Sequence, residues 1–296
     1  MQKHRIATIN SSLVNTIFLT IIALLAFAGN SVLCRLALGH QLIDANSFTI
    51  VRLLSGAATL LILLVLTKKS IQTSKQKITP EAFKRAAYLF VYAAFFSYAY
   101  IILDTASGAL LLFTSVQFTM LAVQYYQGNR PSNQELCGLL LAIMGFIYWM
   151  LPNSQSPSAI GAILMVISGI AWAAYTLAGK QSANAKMDTA KNFTLSLLFI
   201  VLLLPGYFFF TPFNITESGI IYAAISGSIT SAIGYWIWYS VLPKLSISSA
   251  AVLQLLVPII AAAGGFIWNG ELITGSFVAA SIMILSGIYL VVKKNN

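Results

Sequence analysis

Apolar runs about 20 residues long succeed one another along almost the whole of this chain, broken only by short polar segments. A hydrocarbon core of roughly 30 Å takes about 20 helical residues, so such a run is long enough to cross a bilayer as a helix. Of the 296 residues, 58% are hydrophobic and 8% charged, with a mean hydropathy of +0.84, whereas soluble domains are about a quarter charged. The runs predict an all-α membrane protein with ten transmembrane helices, at 12–38, 46–66, 82–103, 106–127, 134–151, 158–180, 190–210, 217–241, 246–268 and 273–292. The longest polar segment, 67–85, is too short for a separate soluble domain.

The ninth run carries two costly residues near mid-depth, Gln254 and Pro258. Proline lacks an N–H and leaves a carbonyl four residues back unpaired; here that carbonyl belongs to Gln254. Opened backbone is tolerated in a membrane where helices, side chains or cavity water re-satisfy it, and broken helices near the midplane build transporter binding sites. Pro258 is therefore the expected hinge, with a packed kink as the alternative. The first run follows Lys3, His4 and Arg5 in the manner of a signal peptide, but it continues to Leu38, too long for one, so no cleavage is expected. The two cysteines, Cys34 and Cys137, fall on opposite sides of the predicted topology, which argues against a disulfide or a metal site.

A net charge of +10 could point to nucleic acid in a soluble protein. Here the basic residues fall in alternate loops, as the positive-inside rule requires, and no nucleic-acid partner is expected. With the N-terminus cytoplasmic, fifteen of the seventeen lysines and arginines lie inside; only Arg35 and Arg52 lie outward, where the acids Asp44, Asp104, Glu217 and Glu271 also fall. Both termini are then cytoplasmic.

Compared with itself, the chain gives a weak repeat. AFAGNSVLCR at 26–35 lies over AWAAYTLAGK at 171–180, setting Phe27 over Trp172 and Arg35 over Lys180. Each half, 1–151 and 152–296, holds five predicted helices, an odd number, so equivalent loops face opposite sides. Their charges agree: the loop after the second helix is basic, and its equivalent, 211–217, has no lysine or arginine. Two inverted five-helix repeats are the signature of alternating access, with substrate at the interface between halves.

With these features the chain resembles a ten-helix EamA-type member of the drug/metabolite transporter superfamily, over nearly its whole length. The resemblance rests on the two repeats, on Arg52 in SFTIVRLLSG, and on the segment from Tyr239 to Glu271 with its small-residue start, mid-helix proline and following glutamate. The first repeat departs from the pattern, with Thr119 where the proline would stand and Gly128-Asn129-Arg130-Pro131 in place of the acidic residue. The resemblance implies a multi-pass transporter of the cell membrane, bacterial and inner, that moves small organic metabolites outward, often amino acids. It implies no cofactor, and as partners a small-molecule substrate and the lipid bilayer, with the chain a monomer or homodimer.

The candidate substrate-binding residues are Asn30, Arg52, Gln117, Gln124, Trp172, Tyr175 and Gln254. Arg52, one turn inside the second helix, is either an anchor snorkelling to the headgroups or a cavity cation facing an anionic group of the substrate or pairing with Asp104. Gln117 and Gln124 lie two turns apart on one face, where polar side chains glue helices together or face water. Asn30 and Ser31 overlie Tyr175 and Thr176 in the repeat, and Trp172 is suited to stacking on substrate. Tyr88, Tyr92, Phe95 and Phe96, and Tyr235, Trp236, Trp238 and Tyr239, are expected mostly as interfacial belts. Rows of small residues through Gly227 and Ser231 permit close helix approach.

The chain has no G-x-x-x-x-G-K-[ST] phosphate loop and no H-E-x-x-H, so neither an ATP-driven pump nor an enzyme is expected. A proton-coupled multidrug exporter is the runner-up, and a channel or receptor the alternative of another class. A proton carrier needs a carboxylate or histidine that faces each side in turn; the predicted helix interiors hold neither, so uncoupled exchange is expected. Asp104 is the candidate carrier otherwise, as the one acid that could be drawn into the bundle.

Overall fold

A computed structural model describes residues 2–67, 79–128, 132–150, 157–180, 182, 184–205, 213–245 and 253–293. Apart from one isolated bridge, the described residues are helices and their connections. They are α1 (Gln2–Gly39), α2 (Ala45–Leu66), α3 (Pro80–Ile102), α4 (Thr105–Tyr126), α5 (Asn133–Met150), α6 (Ala159–Lys180) and α7 (Ala185–Ser196), which continues as a 3-10 stretch, Leu197–Leu203. Then come α8 (Glu217–Ile225), a π-helical stretch Ser226–Ile233, α9 (Gly234–Val241), α10 (Leu256–Asn269) and α11 (Gly275–Lys293). Among the described residues, seven helical rods are long and apolar enough to cross a membrane; 256–269 and 275–291 are shorter apolar helices. The chain is a multi-pass membrane protein.

Helix starts are set by side chains that satisfy the free amides of a first turn. Asp44 accepts from the Ser47 amide, Thr79 from Ala82 with Pro80 just inside α3, Asn184 from Met187, and Thr216 from Gly219. Gly270 ends α10 at φ 64°, the left-handed conformation that glycine adopts without strain. Asp44 also joins the ends of α1 and α8: its amide donates to the Asn214 carbonyl, and an antiparallel bridge pairs Ile43 with Ile215.

Burial is that of a protein in lipid. Ile17, Phe18, Leu61, Ile62, Ile163, Leu202 and Phe266 are exposed, while Asn30, Thr49, Arg52, Gln117 and Ser168 are buried. Apolar side chains coat the outside because hydrocarbon tails are as apolar as they are.

The packing pairs follow a pattern of exchange between the halves. α3 packs on α6, and the π stretch and α9 pack on α1; α4 packs on α6, and α10 on α1; α2 packs on the π stretch, and α3 on α7. α5 packs on α11 and α4 on α10. The main helix contacts thus cross from one half to the other.

Four elements differ from the expected runs. α1 begins at Gln2, ten residues before the apolar run expected at 12. α7 begins at Ala185, before the apolar run at 190, because Asn184 caps a polar first turn containing Asp188. The eighth run bends into π geometry at 226–233. In the ninth, 253–254 are helical, Leu255 is a turn and α10 starts at Leu256, so Pro258 sits in a first turn, where its missing N–H is no loss. The small-residue start 246–252, the basic segment 68–78 and Arg130 lie outside the described residues.

Candidate functional site

α3 acts as a ruler for the site. Arg85 lies near its beginning, Tyr92 at its middle and Tyr100 near its end; fifteen residues of helix separate the outer two, about 22 Å. Each of these levels joins the two halves of the chain.

At the middle level is a cavity. α1 contributes Phe27, Asn30 and Ser31, α3 contributes Tyr92 and Phe96, α4 contributes Leu112 and Phe113, and Trp172, Thr230 and Tyr235 close it from the second half. The space is on the order of a single water, so the site is closed around its centre. Trp172 holds the aromatic wall together, with ring centroids 4.9 Å from Tyr92, 4.8 Å from Tyr235 and 6.2 Å from Phe27.

The polar part of the site centres on the Tyr92 hydroxyl. Arg52 Nη2 donates to it at 3.0 Å and Asn30 Nδ2 at 3.4 Å. Arg52 Nε donates to Ser231 Oγ at 3.2 Å, and Asn30 Oδ1 accepts from Ser226 at 2.7 Å and Thr230 at 3.2 Å. Three hydroxyls of the π stretch therefore turn onto α1 and α2. A π turn widens the helix and changes the direction of its side chains, and such turns recur at functional sites. Gly227 allows the approach, since a Cβ there would collide with the Arg52 carbonyl and Ser55 Oγ.

At the end of α3 marked by Tyr100, Arg35 is the centre of a polar cluster. Nη1 donates to the carbonyls of Tyr100 and Ile101, Nη2 lies 3.5 Å from Asp104, and Nε lies 3.3 Å from Glu271. Glu271 also accepts from the Thr105 amide at 2.9 Å and its hydroxyl at 3.1 Å. Burial pushes the Glu271 carboxyl above its ordinary value, against the lowering pull of the Thr105 donors and Arg35. At the opposite end Arg85 pairs with Asp188 at 3.2 Å, and Ser182 donates to Asp188 at 2.7 Å.

Of the residues singled out from the sequence, Asn30 and Trp172 line the cavity and Arg52 borders it through Tyr92 and Phe96. Tyr175 is buried beside Trp172, accepting from Asn192 at 3.5 Å. Gln117 is buried within α4, Gln124 is half-buried two turns on, and Gln254 is buried just before α10; none is among the residues lining the cavity. Arg52 is 2% exposed and points inward instead of snorkelling. Asp104 does not pair with it: the aspartate side chain is 62% exposed and bonds to Arg35. The expectation that Asp104 alone could be drawn into the bundle is corrected by Glu271, whose side chain is only 12% exposed, because the turn after α10 folds back onto the start of α4. Tyr92, Phe96 and Tyr235, expected as belt residues, are buried cavity residues. Their signal was spacing: 92 and 96 lie one turn apart, on the stripe that also faces Trp172.

The model of the EamA-like transporter family matches residues 14–151 and 159–293. The chain belongs to that family. This EamA-like transporter is 43% identical over 276 residues to an uncharacterized protein of Pseudomonas aeruginosa, covering 93% of this chain and 94% of that one. It is 27% identical to a probable amino-acid metabolite efflux pump of Salmonella typhimurium, over 62% of this chain and 66% of the pump. A threonine/homoserine exporter of the same species is 27% identical over 58% of this chain and 59% of the exporter. A solved crystal structure superposes with a TM-score of 0.64 at 15% identity, covering 91% of this chain and 94% of that one, a likeness of fold.

Proposed function

We propose that the chain is a secondary transporter that exports amino acids or related small metabolites by alternating access. In this reading ten helices form two inverted halves, 1–151 and 152–296, with both termini cytoplasmic, in the inner membrane of a bacterium. The observation that carries it is the arrangement along α3: a closed cavity built by both halves, with an ion pair between halves at each end, Arg35 with Glu271 and Arg85 with Asp188. Opening one pair while the other holds would expose the cavity to one side at a time. The exchange pattern of packing and the two stretches matched by the family model support the inverted repeat. The names of the Salmonella relatives support amino acids as the cargo class.

The test is counterflow in proteoliposomes without a pH or voltage gradient. Vesicles loaded with an unlabelled L-amino acid, threonine or homoserine first, should draw in the labelled compound transiently, and empty vesicles should not. Efflux of cationic dyes in place of amino-acid exchange would replace this reading with that of a multidrug exporter.

A further inference from the structure

Arg52 is a buried cation that no carboxylate meets in an ion pair among the described residues. The residue is 2% exposed, yet its bonding partners are the neutral hydroxyls of Tyr92 and Ser231, with the rings of Tyr92 and Phe96 at 5.2 and 5.0 Å from Cζ. Its Nη1 is buried with no hydrogen-bond partner among the described residues. The chain's seven carboxylates all lie at helix ends or in turns. Those in ion pairs among the described residues are held by Arg35 and Arg85, and none reaches Arg52.

Burying a charge is costly unless it is paired, and the helices here hold the guanidinium inside instead of letting it reach the headgroups. Aromatic faces and hydroxyls lessen that cost without cancelling the charge. A guanidinium fork matches a carboxylate in plane and spacing. The three residues that hold or underlie it, Tyr92, Phe96 and Ser231, are walls of the cavity or, for Ser231, adjoin one through the π stretch. We propose that Arg52 is the anion seat of the cavity, its free Nη1 receiving the carboxylate of the cargo, so that the transporter takes zwitterionic or anionic carboxylates and rejects compounds whose only charge is positive. This rests on the cavity being the substrate site, and it narrows the amino-acid reading to recognition through the carboxylate. The ammonium of a zwitterion then faces the rings of Trp172 and Tyr235, a surface that attracts cations without a fixed negative charge.

Three kinds of probe separate the outcomes: L-amino acids, their methyl esters, and 2-hydroxy acids that keep the carboxylate but lack the amine. Binding is read on the purified protein by tryptophan fluorescence and by the ligand-induced rise in unfolding temperature. The expected result is that an amino acid binds at least tenfold more tightly than its ester, and that Arg52→Gln abolishes the difference while Arg52→Lys keeps part of it. The ester comparison on the unaltered protein stands even where Arg52→Gln does not fold. Equal binding of acid and ester would overturn the anion seat and leave amino-acid transport intact. Binding of 2-hydroxy acids without amino acids would support the seat and sink the amino-acid reading. Binding of cationic compounds alone would overturn both.

Discussion

Tyr92 joins Arg52 to Asn30 in the polar site. Its hydroxyl accepts from Arg52 and Asn30, and its carbonyl accepts from Ser168 at 3.0 Å. Tyr92→Phe keeps the ring and the carbonyl contact but leaves Arg52 with Ser231 as its remaining hydrogen-bond acceptor. Stranding a buried donor costs about 1–3 kcal/mol, and more where the group is charged, so the variant should unfold at a lower temperature in detergent than Ser231→Ala does, because the tyrosine serves two donors. A Tyr92→Phe midpoint equal to that of the unaltered protein would show that the hydroxyl carries neither. Arg52 was legible from sequence, since a charge inside an apolar run has few roles. Tyr92 was not, because the aromatic stripe of α3 to which it belongs reads equally as an interfacial belt and as a cavity wall, and only the partner helices decide. The same limit applied to Asp104 and Glu271: both flank runs, and which one packs inward depends on how the turn after α10 folds.

At the scale of elements, apolarity predicted rods well where a cap and the apolar edge coincide. The second run, expected at 46–66, is Ala45–Leu66 behind the Asp44 cap, and the third, expected at 82–103, is Pro80–Ile102 behind the Thr79 cap. It failed where helical geometry changes inside an apolar run, because 3-10 and π stretches are as apolar as α-helix and differ only in which groups they bond. The π stretch depends on Gly227, packed where any side chain would strike the Arg52 backbone. Gly227→Leu should therefore cost about 1–3 kcal/mol by overpacking and disturb the Arg52 bond to Ser231, lowering the unfolding midpoint and weakening amino-acid binding together. Retained binding with lowered stability would mean that α2 and the π stretch can part without moving Arg52. Pro258 makes a different prediction. Standing in the first turn of α10 after the Leu255 turn, it ends one helical piece and begins another at little cost. Pro258→Ala permits the helix to run through Leu255, so affinity should hold while the rate of counterflow falls; an unchanged rate would make the break at Leu255 a packing feature.

Across the whole molecule, the two ion-paired ends differ in chemistry, and that difference bears on coupling. Orientation comes first: a cysteine at Glu217, which is exposed, should react with an impermeant reagent from outside, and one at Lys186 only after lysis, whereas Asp44 is too buried to report. The reverse pattern would invert the topology. With that orientation the outer pair contains Glu271, a carboxyl raised chiefly by burial. A raised folded-state value means the folded chain takes up the proton at a higher pH than the unfolded chain, so this group's contribution to stability is full below its unfolded value and is lost as pH rises through the folded one. The latch itself runs the other way, since protonation removes the charge that holds Arg35. Lowering the external pH through the raised value should speed opening of the outer end, and Glu271→Gln should make the rate fast and independent of pH. Glu271 lies just past the end of α10 and is not among the residues lining the cavity, so the expectation is that its proton does not travel with the cargo. Acid should therefore change the rate of exchange and leave the final distribution of substrate unchanged. Accumulation against the substrate gradient, driven only by an imposed inward proton gradient, would refute this, and comparing Asp104→Asn with Glu271→Gln would then identify which carboxylate carries the proton.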